Sequence, residues 1–325
     1  MDVKEIFQQK EYGYLPETPK EIKAEILEKE SANFLAGKAD REKIKLTMEV
    51  NGKEVSFPIH FVYQRGKKNV KTIICINFRD SLFDKYIPVE EIIDDGWNLA
   101  VLCYNDVTHD SAVEDENYLA LRGEKSKTAP GKIMMWAWAN MRVLDYLSTR
   151  EETDTKNIGI CGHSRLGKTA LWAAANDPRA AGVVSNDSGC CGAAISRDKE
   201  GETLRKIVTR FPYWFVPEFD VYMDNEDAMP WDQHYLVSLS APRPVLVASA
   251  TEDQWAYPPN EFLAAQAAGE VYRLFGIPGL GAEEKFPPAD SPLLRRGVGY
   301  YVRTGIHGVF PYDWAQVAEF IRLNS

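Results

Sequence analysis

The chain of 325 residues is short of cysteine and histidine, with five of each. Cys75, Cys103, Cys161, Cys190 and Cys191 form no CxxC pair and no Cys/His cluster, so neither a metal centre nor a disulfide framework is expected. Cys75, Cys103 and Cys161 sit in apolar runs, where cysteine is a small buried hydrophobe. Positive charge is also scarce: 38 Lys and Arg face 48 Asp and Glu, a net charge of −10. That argues against wrapping a phosphate backbone, and no nucleic-acid partner is expected. No stretch has the roughly 18–20 apolar residues of a membrane span, so no membrane partner is expected either. The first residues, MDVKEIFQQKEYGYLPETPK, are charged and lack an apolar leader core. The expectation is a cytoplasmic protein, or a secreted one if a leader has been removed.

What is present is ordinary for a globular chain: 45% hydrophobic and 26% charged residues. Length alone suggests about two domains. No linker, repeat or low-complexity stretch divides the chain, however, so we expect one domain over 1–325. The first 40 or so residues read as polar, partly helical and wrapped around the body. Lys43–Val50 alternates in polarity, Asn51-Gly52 is a hairpin turn, and Val55–Tyr63 returns. The runs TIICINF (72–78) and WNLAVLCY (97–104) do not alternate, as expected of strands buried on both faces. Further strands are expected at 157–161, 181–185, 244–250 and 297–303, with helices at 90–95, 132–147, 168–176, 259–268 and 312–323. This order predicts an α/β three-layer sandwich: a mostly parallel sheet, antiparallel at its N-terminal strands, with helices on both faces. Residues 190–240 are irregular and aromatic and read as a cap insertion.

The chemistry points to one turn. The strand NIGIC runs into Gly162-His163-Ser164-Arg165-Leu166-Gly167 and then a helix. A serine on a tight strand-to-helix turn is a nucleophile elbow, which lifts the hydroxyl above the sheet edge and aims helix N–H groups at the reaction centre. The common spacing is G-x-S-x-G; here the second glycine comes one residue later. The competing reading is an ordinary βα turn with Ser164 as helix cap. A serine nucleophile needs a base, and the base an acid to orient it. His307, after the last expected strand, is the only histidine far downstream of the elbow. The acid is left open between Asp253, with Glu252 as an alternative in the same loop after PVLVASA, and Asp187, at the end of the preceding strand. Tyr213, Trp214, Trp231 and Trp255 are candidates to stack on sugar faces, against simple packing of the cap. His234, also in the cap, is weighed for substrate contact against a structural role.

Gly162-His163-Ser164-Arg165-Leu166-Gly167-Lys168 resembles the G-C-S-R-x-G-K elbow of the glucuronoyl esterases, carbohydrate esterase family 15. Asn186-Asp187-Ser188-Gly189 with Gly192-Ala193-Ala194, Trp231–Leu236 with Ala241-Pro242-Arg243, and Asp253-Gln254-Trp255 with Pro258 resemble further segments of that family. The resemblance runs from about Thr72 to the C-terminus and includes a bacterial branch described as acetyl xylan esterase-like. It implies an α/β-hydrolase fold and a serine carboxylic ester hydrolase without metal or cofactor. The implied substrate is a small carbohydrate ester or xylan-derived oligosaccharide, above all a 4-O-methyl-glucuronate ester; the alternative is removal of acetyl groups from xylo-oligosaccharides. The resemblance implies Ser164 as nucleophile, His307 as base, Arg165 as oxyanion stabiliser, Lys168 as a donor to sugar hydroxyls and Trp255 as part of the uronate pocket. The family acid is a glutamate where this chain has Asp187, which favours Asp253 as the working acid. A family glutamate aligns with Arg210, so substrate recognition at that point is expected to be absent or inverted in charge. A second oxyanion donor is expected from the Asn77-Phe78-Arg79 loop.

Overall fold

Asn51 and Gly52 have φ of 50° and 71°, the paired positive values that a two-residue hairpin turn needs. They seed a sheet in the computed structural model, which describes residues 2–198 and 200–325. Among the described residues, nine strands form one sheet: β1 Lys23–Glu30, β2 Ala39–Val50, β3 Lys53–Gln64, β4 Val70–Asn77, β5 Asn98–Cys103, β6 Thr153–His163, β7 Gly182–Asn186, β8 Val245–Ala250 and β9 Val298–Arg303. The helices are α1 Val3–Phe7, α2 Val89–Asp94, α3 Tyr104–Val107, α4 Glu116–Arg122, α5 Lys132–Leu147, α6 Arg165–Asn176, α7 Leu204–Arg210, α8 Gln233–Ser238, α9 Pro258–Leu274 and α10 Pro311–Asn324. No helix among the described residues is long and apolar enough to cross a membrane.

The strand order is β1-β2-β3-β5-β4-β6-β7-β8-β9. The first three strands are antiparallel and β3 meets β5 antiparallel; from β5 to β9 every neighbour runs parallel. The non-alternating runs are buried on both sides of this sheet. Ile74 and Ile76 of β4 face the core under α5, α6 and α9, while Ile73 and Cys75 face the core under α2 and α10. Covering both faces of parallel strands is what removes polar alternation from their sequences. All five cysteines are free thiols.

The N-terminal stretch is partly helical and docks through buried Phe7, Glu11 and Tyr12. It also holds an edge strand that the sequence pattern does not predict: β1, whose side chains are all exposed. A strand held by its ladder with β2 and by exposed ion pairs, Arg41 to Glu28 and Glu30 among them, carries no burial periodicity to read. Helices α3 and α4 are likewise additions to the expected elements. The described residues of 190–240 are irregular apart from α7, α8 and short 3-10 turns. Their first half forms a wall of the cavity above the carboxyl ends of the parallel strands.

Candidate active site

Strand β6 ends at His163 and α6 starts at Arg165, leaving Ser164 between them at φ 59°, ψ −129°. Such a backbone costs a non-glycine residue about 1–3 kcal/mol and persists only where its surroundings enforce it. Here Ser164 N donates to Asn186 O of β7 at 2.8 Å, and Gly167 N donates back to Ser164 O at 2.8 Å. The flanking glycines are steric necessities. A Cβ on Gly162 would lie 2.0 Å from Leu166 O. One on Gly167 would lie 2.9 Å from Ser188 Cβ and 3.2 Å from Gly162 O. The displaced second glycine therefore marks where α6 passes the loop after β7.

His307 lies four residues beyond β9, and Arg303 fixes its loop by donating to Ile306 O at 2.8 Å and Gly308 O at 2.7 Å. The loops after β8 and β9 are tied together by Glu252 N to Gly305 O at 2.9 Å and Gly305 N to Thr251 Oγ1 at 3.1 Å. This delivers Asp253 Oδ2 to 2.6 Å from His307 Nδ1. Burial works to raise the Asp253 pKa, but the His307 hydrogen bond and charge outweigh it and hold the carboxyl below its usual value. Asp187 is different: its Oδ2 is 3.9 Å from His307 Nδ1 and accepts instead from Gly308 N at 3.1 Å. Burial, with Glu261 and Asp253 adding repulsion, pushes Asp187 well above the ordinary carboxylate range. Of the acids left open by the sequence, Asp253 is the one that hydrogen-bonds the histidine, and Asp187 supports the loop that carries it.

His163 packs against His307 with ring centroids 4.4 Å apart, and its Nδ1 meets Asn186 Oδ1 at 2.5 Å. Burial and the neighbouring His307 push its pKa down to about 3, so it is neutral. His163, Asp187 and His307 bring ligand-type atoms within 4.8 Å of one another. The Nδ1 atoms of both rings are already engaged, by Asn186 and by Asp253, so this donor set is committed to hydrogen bonds.

Arg165 sits in an aromatic cradle. Its guanidinium lies 4.9 Å from the Trp214 ring, 5.2 Å from Phe211 and 5.8 Å from Phe78, and it pairs with Asp110 Oδ2. Asp110 Oδ1 accepts from Trp214 Nε1 at 2.7 Å. Buried Lys132 of α5 holds the loop bearing Asp110 by donating to Val113 O at 2.9 Å and to His109 O. The expected second oxyanion donor is not met by side chains of 77–79: Asn77 bonds back to Arg79 O, Arg79 pairs with Asp84, and Phe78 lies against Arg165.

These groups share an open cavity of about 780 Å³ lined by Ser164, Arg165, Lys168, Glu202, Trp255 and His307, among others. Lys168 Nζ donates to Ser188 O and lies 3.8 Å from Glu202 Oε2. Trp255 is 46% exposed. Four sequence expectations need correction. Trp214 lines the cavity, but its face is stacked on Phe211 at 3.9 Å and its N–H is spent on Asp110, so it holds Arg165 rather than a sugar. Trp231 is buried against Glu11, and Tyr213 donates to Asp110 O, so neither lines the cavity. His234 does not line it either; its ring packs on Tyr235 in α8, 4.2 Å between centroids. The cavity also keeps an acid beside the lysine: Glu202, which sequence reasoning missed, while Arg210 adds a cation at its edge. Glu202 is one of three acids in the polar stretch RDKEGET, and its one local signal is Gly201, where a Cβ would lie 2.2 Å from Gln254 O.

The parallel sheet, the strained serine at a strand-to-helix turn and the histidine–aspartate pair at the neighbouring strand ends define an α/β-hydrolase with a serine nucleophile elbow. The family described as "Glucuronyl esterase, fungi" matches residues 46–276, and the chain belongs to the glucuronyl esterase family. It is 44% identical over 237 residues to the carbohydrate esterase MZ0003 of an unknown prokaryote, covering 71% of this chain and 54% of that protein. It is 32% identical over 203 residues to 4-O-methyl-glucuronoyl methylesterase 1 of Wolfiporia cocos, covering 57% of this chain and 48% of that one. The match thus spans about half the length of these relatives. Among solved structures, a promiscuous CE15 esterase from a marine bacterial metagenome superposes with a TM-score of 0.88 at 32% identity, over 100% of this chain and 90% of that one. A glucuronoyl esterase from Solibacter usitatus superposes with a TM-score of 0.89 at 30% identity, over 99% and 91%.

Proposed function

We propose that this chain is a serine carboxylic ester hydrolase that cleaves glucuronoyl esters, including 4-O-methyl-glucuronate esters carried on xylan-derived oligosaccharides. The observation that carries the reading is the shared cavity: the strained Ser164 opens into the same space as the His307–Asp253 pair, the Arg165 guanidinium and the Lys168–Glu202 pair. The first three are the parts of an acyl-transfer centre. The last pairs a donor with an acceptor, as recognition of vicinal sugar hydroxyls requires. The relatives named for glucuronoyl esters support the substrate class.

In this mechanism Ser164 Oγ attacks the ester carbonyl carbon while its proton passes to His307 Nε2, because Nδ1 is held by Asp253. The carbonyl oxygen gains negative charge beside Arg165. Each such donor is worth about 3 kcal/mol, and a cationic one is stronger than a neutral amide. The C–O bond to the alcohol breaks as His307 returns the proton to the departing oxygen. Water then attacks the acyl-enzyme, giving its proton to His307, and the uronic acid leaves as Ser164 regains its hydrogen. Asp253 stays ionised throughout and stabilises the imidazolium.

The test is parallel turnover of benzyl glucuronate and acetylated xylo-oligosaccharides by the wild type and Ser164→Ala. We expect hydrolysis of the glucuronate ester that falls about 10⁴-fold or more in the variant. Turnover of acetyl esters alone overturns the substrate; undiminished turnover in Ser164→Ala overturns the nucleophile.

A further inference from the structure

The charges lining the cavity are almost completely balanced. Arg165 pairs with Asp110, Lys168 lies 3.8 Å from Glu202, Asp253 is bonded to His307, and Asp187 lies 3.7 Å from Arg303. Arg210, exposed at the end of α7, is the exception: it has no carboxylate partner within 4 Å among the described residues. Its guanidinium rests over Phe211 at 5.1 Å, and Phe211 is stacked on Trp214, beside which Arg165 lies. The aromatic pair thus carries two guanidiniums, an inner one beside the nucleophile and an outer one at the mouth. One turn earlier on the same face of α7, Lys206 lies 5.1 Å from the ring of Trp255, on the cavity's other lining segment. In a chain of net charge −10, this leaves a local positive rim on the approach to Ser164.

An esterified uronate is itself neutral, so that rim has nothing to pair with in the acyl group alone. We propose that Arg210, aided by Lys206, recognises a carboxylate that the substrate carries beside the ester being cleaved; this rests on the glucuronoyl ester reading above. The preferred substrate is an ester with a second, free acid within reach of the cavity mouth. That acid sits either on the departing alcohol or on a neighbouring uronate of the glycan. The chemistry is the same in both: a planar carboxylate facing a guanidinium fork.

Two matched substrate pairs separate the sources. For the alcohol side, 4-carboxybenzyl glucuronate is compared with its neutral isostere, 4-carbamoylbenzyl glucuronate. For the glycan side, a diuronate esterified at one carboxyl is compared with the same compound whose free acid has been reduced to a primary alcohol. The readout is the ratio of kcat/KM, charged over neutral. One exposed charge pair implies a preference of about two- to fivefold at low salt, fading at high salt as screening sets in. Arg210→Gln removes it, Arg210→Glu inverts it, and Arg205→Gln, on the same helix but already paired to Asp224 at 2.6 Å, keeps it. Calorimetric binding of the same compounds to the Ser164→Ala protein gives the comparison without turnover. A ratio near one for both pairs in the wild type, or one that Arg210→Glu does not move, overturns the proposal. Failure to hydrolyse benzyl glucuronate, by contrast, strikes the functional reading.

Discussion

Asp253 Oδ2 stands 2.6 Å from Nδ1 of His307, although 54 residues separate the two in the chain. Asp187 reaches only to 3.9 Å of the same nitrogen. The two acids differ in charge as well as distance, since His307 holds Asp253 ionised while burial drives Asp187 toward its neutral form. Asp253→Asn should therefore lower kcat about 10³- to 10⁴-fold, by losing the group that fixes the tautomer and stabilises the imidazolium. Asp187→Asn, which keeps an acceptor for Gly308 N, should cost about tenfold or less by the same comparison. Steady-state kinetics on benzyl glucuronate decide the order of the two, and a larger loss in Asp187→Asn would reassign the acid.

Arg165 depends on Asp110. Because Asp110 grips Arg165 with one carboxylate oxygen and Trp214 with the other, Asp110→Asn loosens the guanidinium and the ring it rests on together. We expect kcat to fall about ten- to a hundredfold, in line with partial loss of one oxyanion donor, with a smaller change in KM. A change confined to KM would show that Asp110 serves substrate binding instead.

The two elbow glycines should not tolerate substitution equally. Gly162→Ala drives a methyl to 2.0 Å from the rigid backbone oxygen of Leu166. The closest atom to a Gly167 Cβ is Ser188 Cβ at 2.9 Å, with Gly162 O at 3.2 Å. Overpacking costs about 1–3 kcal/mol where neighbours can shift and more where they cannot. Thermal unfolding should rank Gly162→Ala as the more damaging, with activity lost even where the protein folds. Equal melting temperatures for the two variants would contradict this steric ranking of the turn.

Glu11 should make stability fall as pH rises. It is fully buried, and burial raises its pKa to about 7 despite hydrogen bonds from Trp231 at 2.8 Å and Gln233 at 3.1 Å. A folded-state pKa above the unfolded value of 4.5 means that its contribution is complete below pH 4.5 and is lost as pH climbs through about 7. At 1.36 kcal/mol per unit, the shift corresponds to about 3 kcal/mol. Urea unfolding at several pH values between 4.5 and 8 should show that slope in the wild type and lack it in Glu11→Gln. Parallel curves would exclude Glu11 as the titrating group.

How far the sequence reached varies with the kind of interaction. The buried strands β4 and β5 and the long helix α5 were legible because burial on two faces, or over a broad helical face, writes itself into residue order. The strand β1 was not, because all its side chains are exposed and its contacts with β2 are the backbone ladder and surface ion pairs, none of which leaves an apolar period. Within the site, Ser164 and His307 were legible from their places after a strand. Glu202 and Asp110 were not, since an acid in a polar loop looks like any other until the loop is folded. Trp214 was read for the wrong partner: its aromatic character was evident, but its stacking on Phe211 and its bond to Asp110 depend on an α5–loop contact far away in sequence.

The sequence by itself determined the elbow and which segments around it form the buried strands. Those rest on local sterics: which residues tolerate a positive φ, which spacing leaves room for a backbone to pass, and which runs must be covered. Only the tertiary structure decided which acid meets His307 and which carboxylate holds Arg165. The loops after β7 and β8 both open at the same sheet edge, and the choice between Asp187 and Asp253 is set by the ties between the β8 and β9 loops. Partners 54 and 55 residues apart are joined by strand order and loop path, and a hydrogen bond of that reach leaves no periodicity in the chain that makes it.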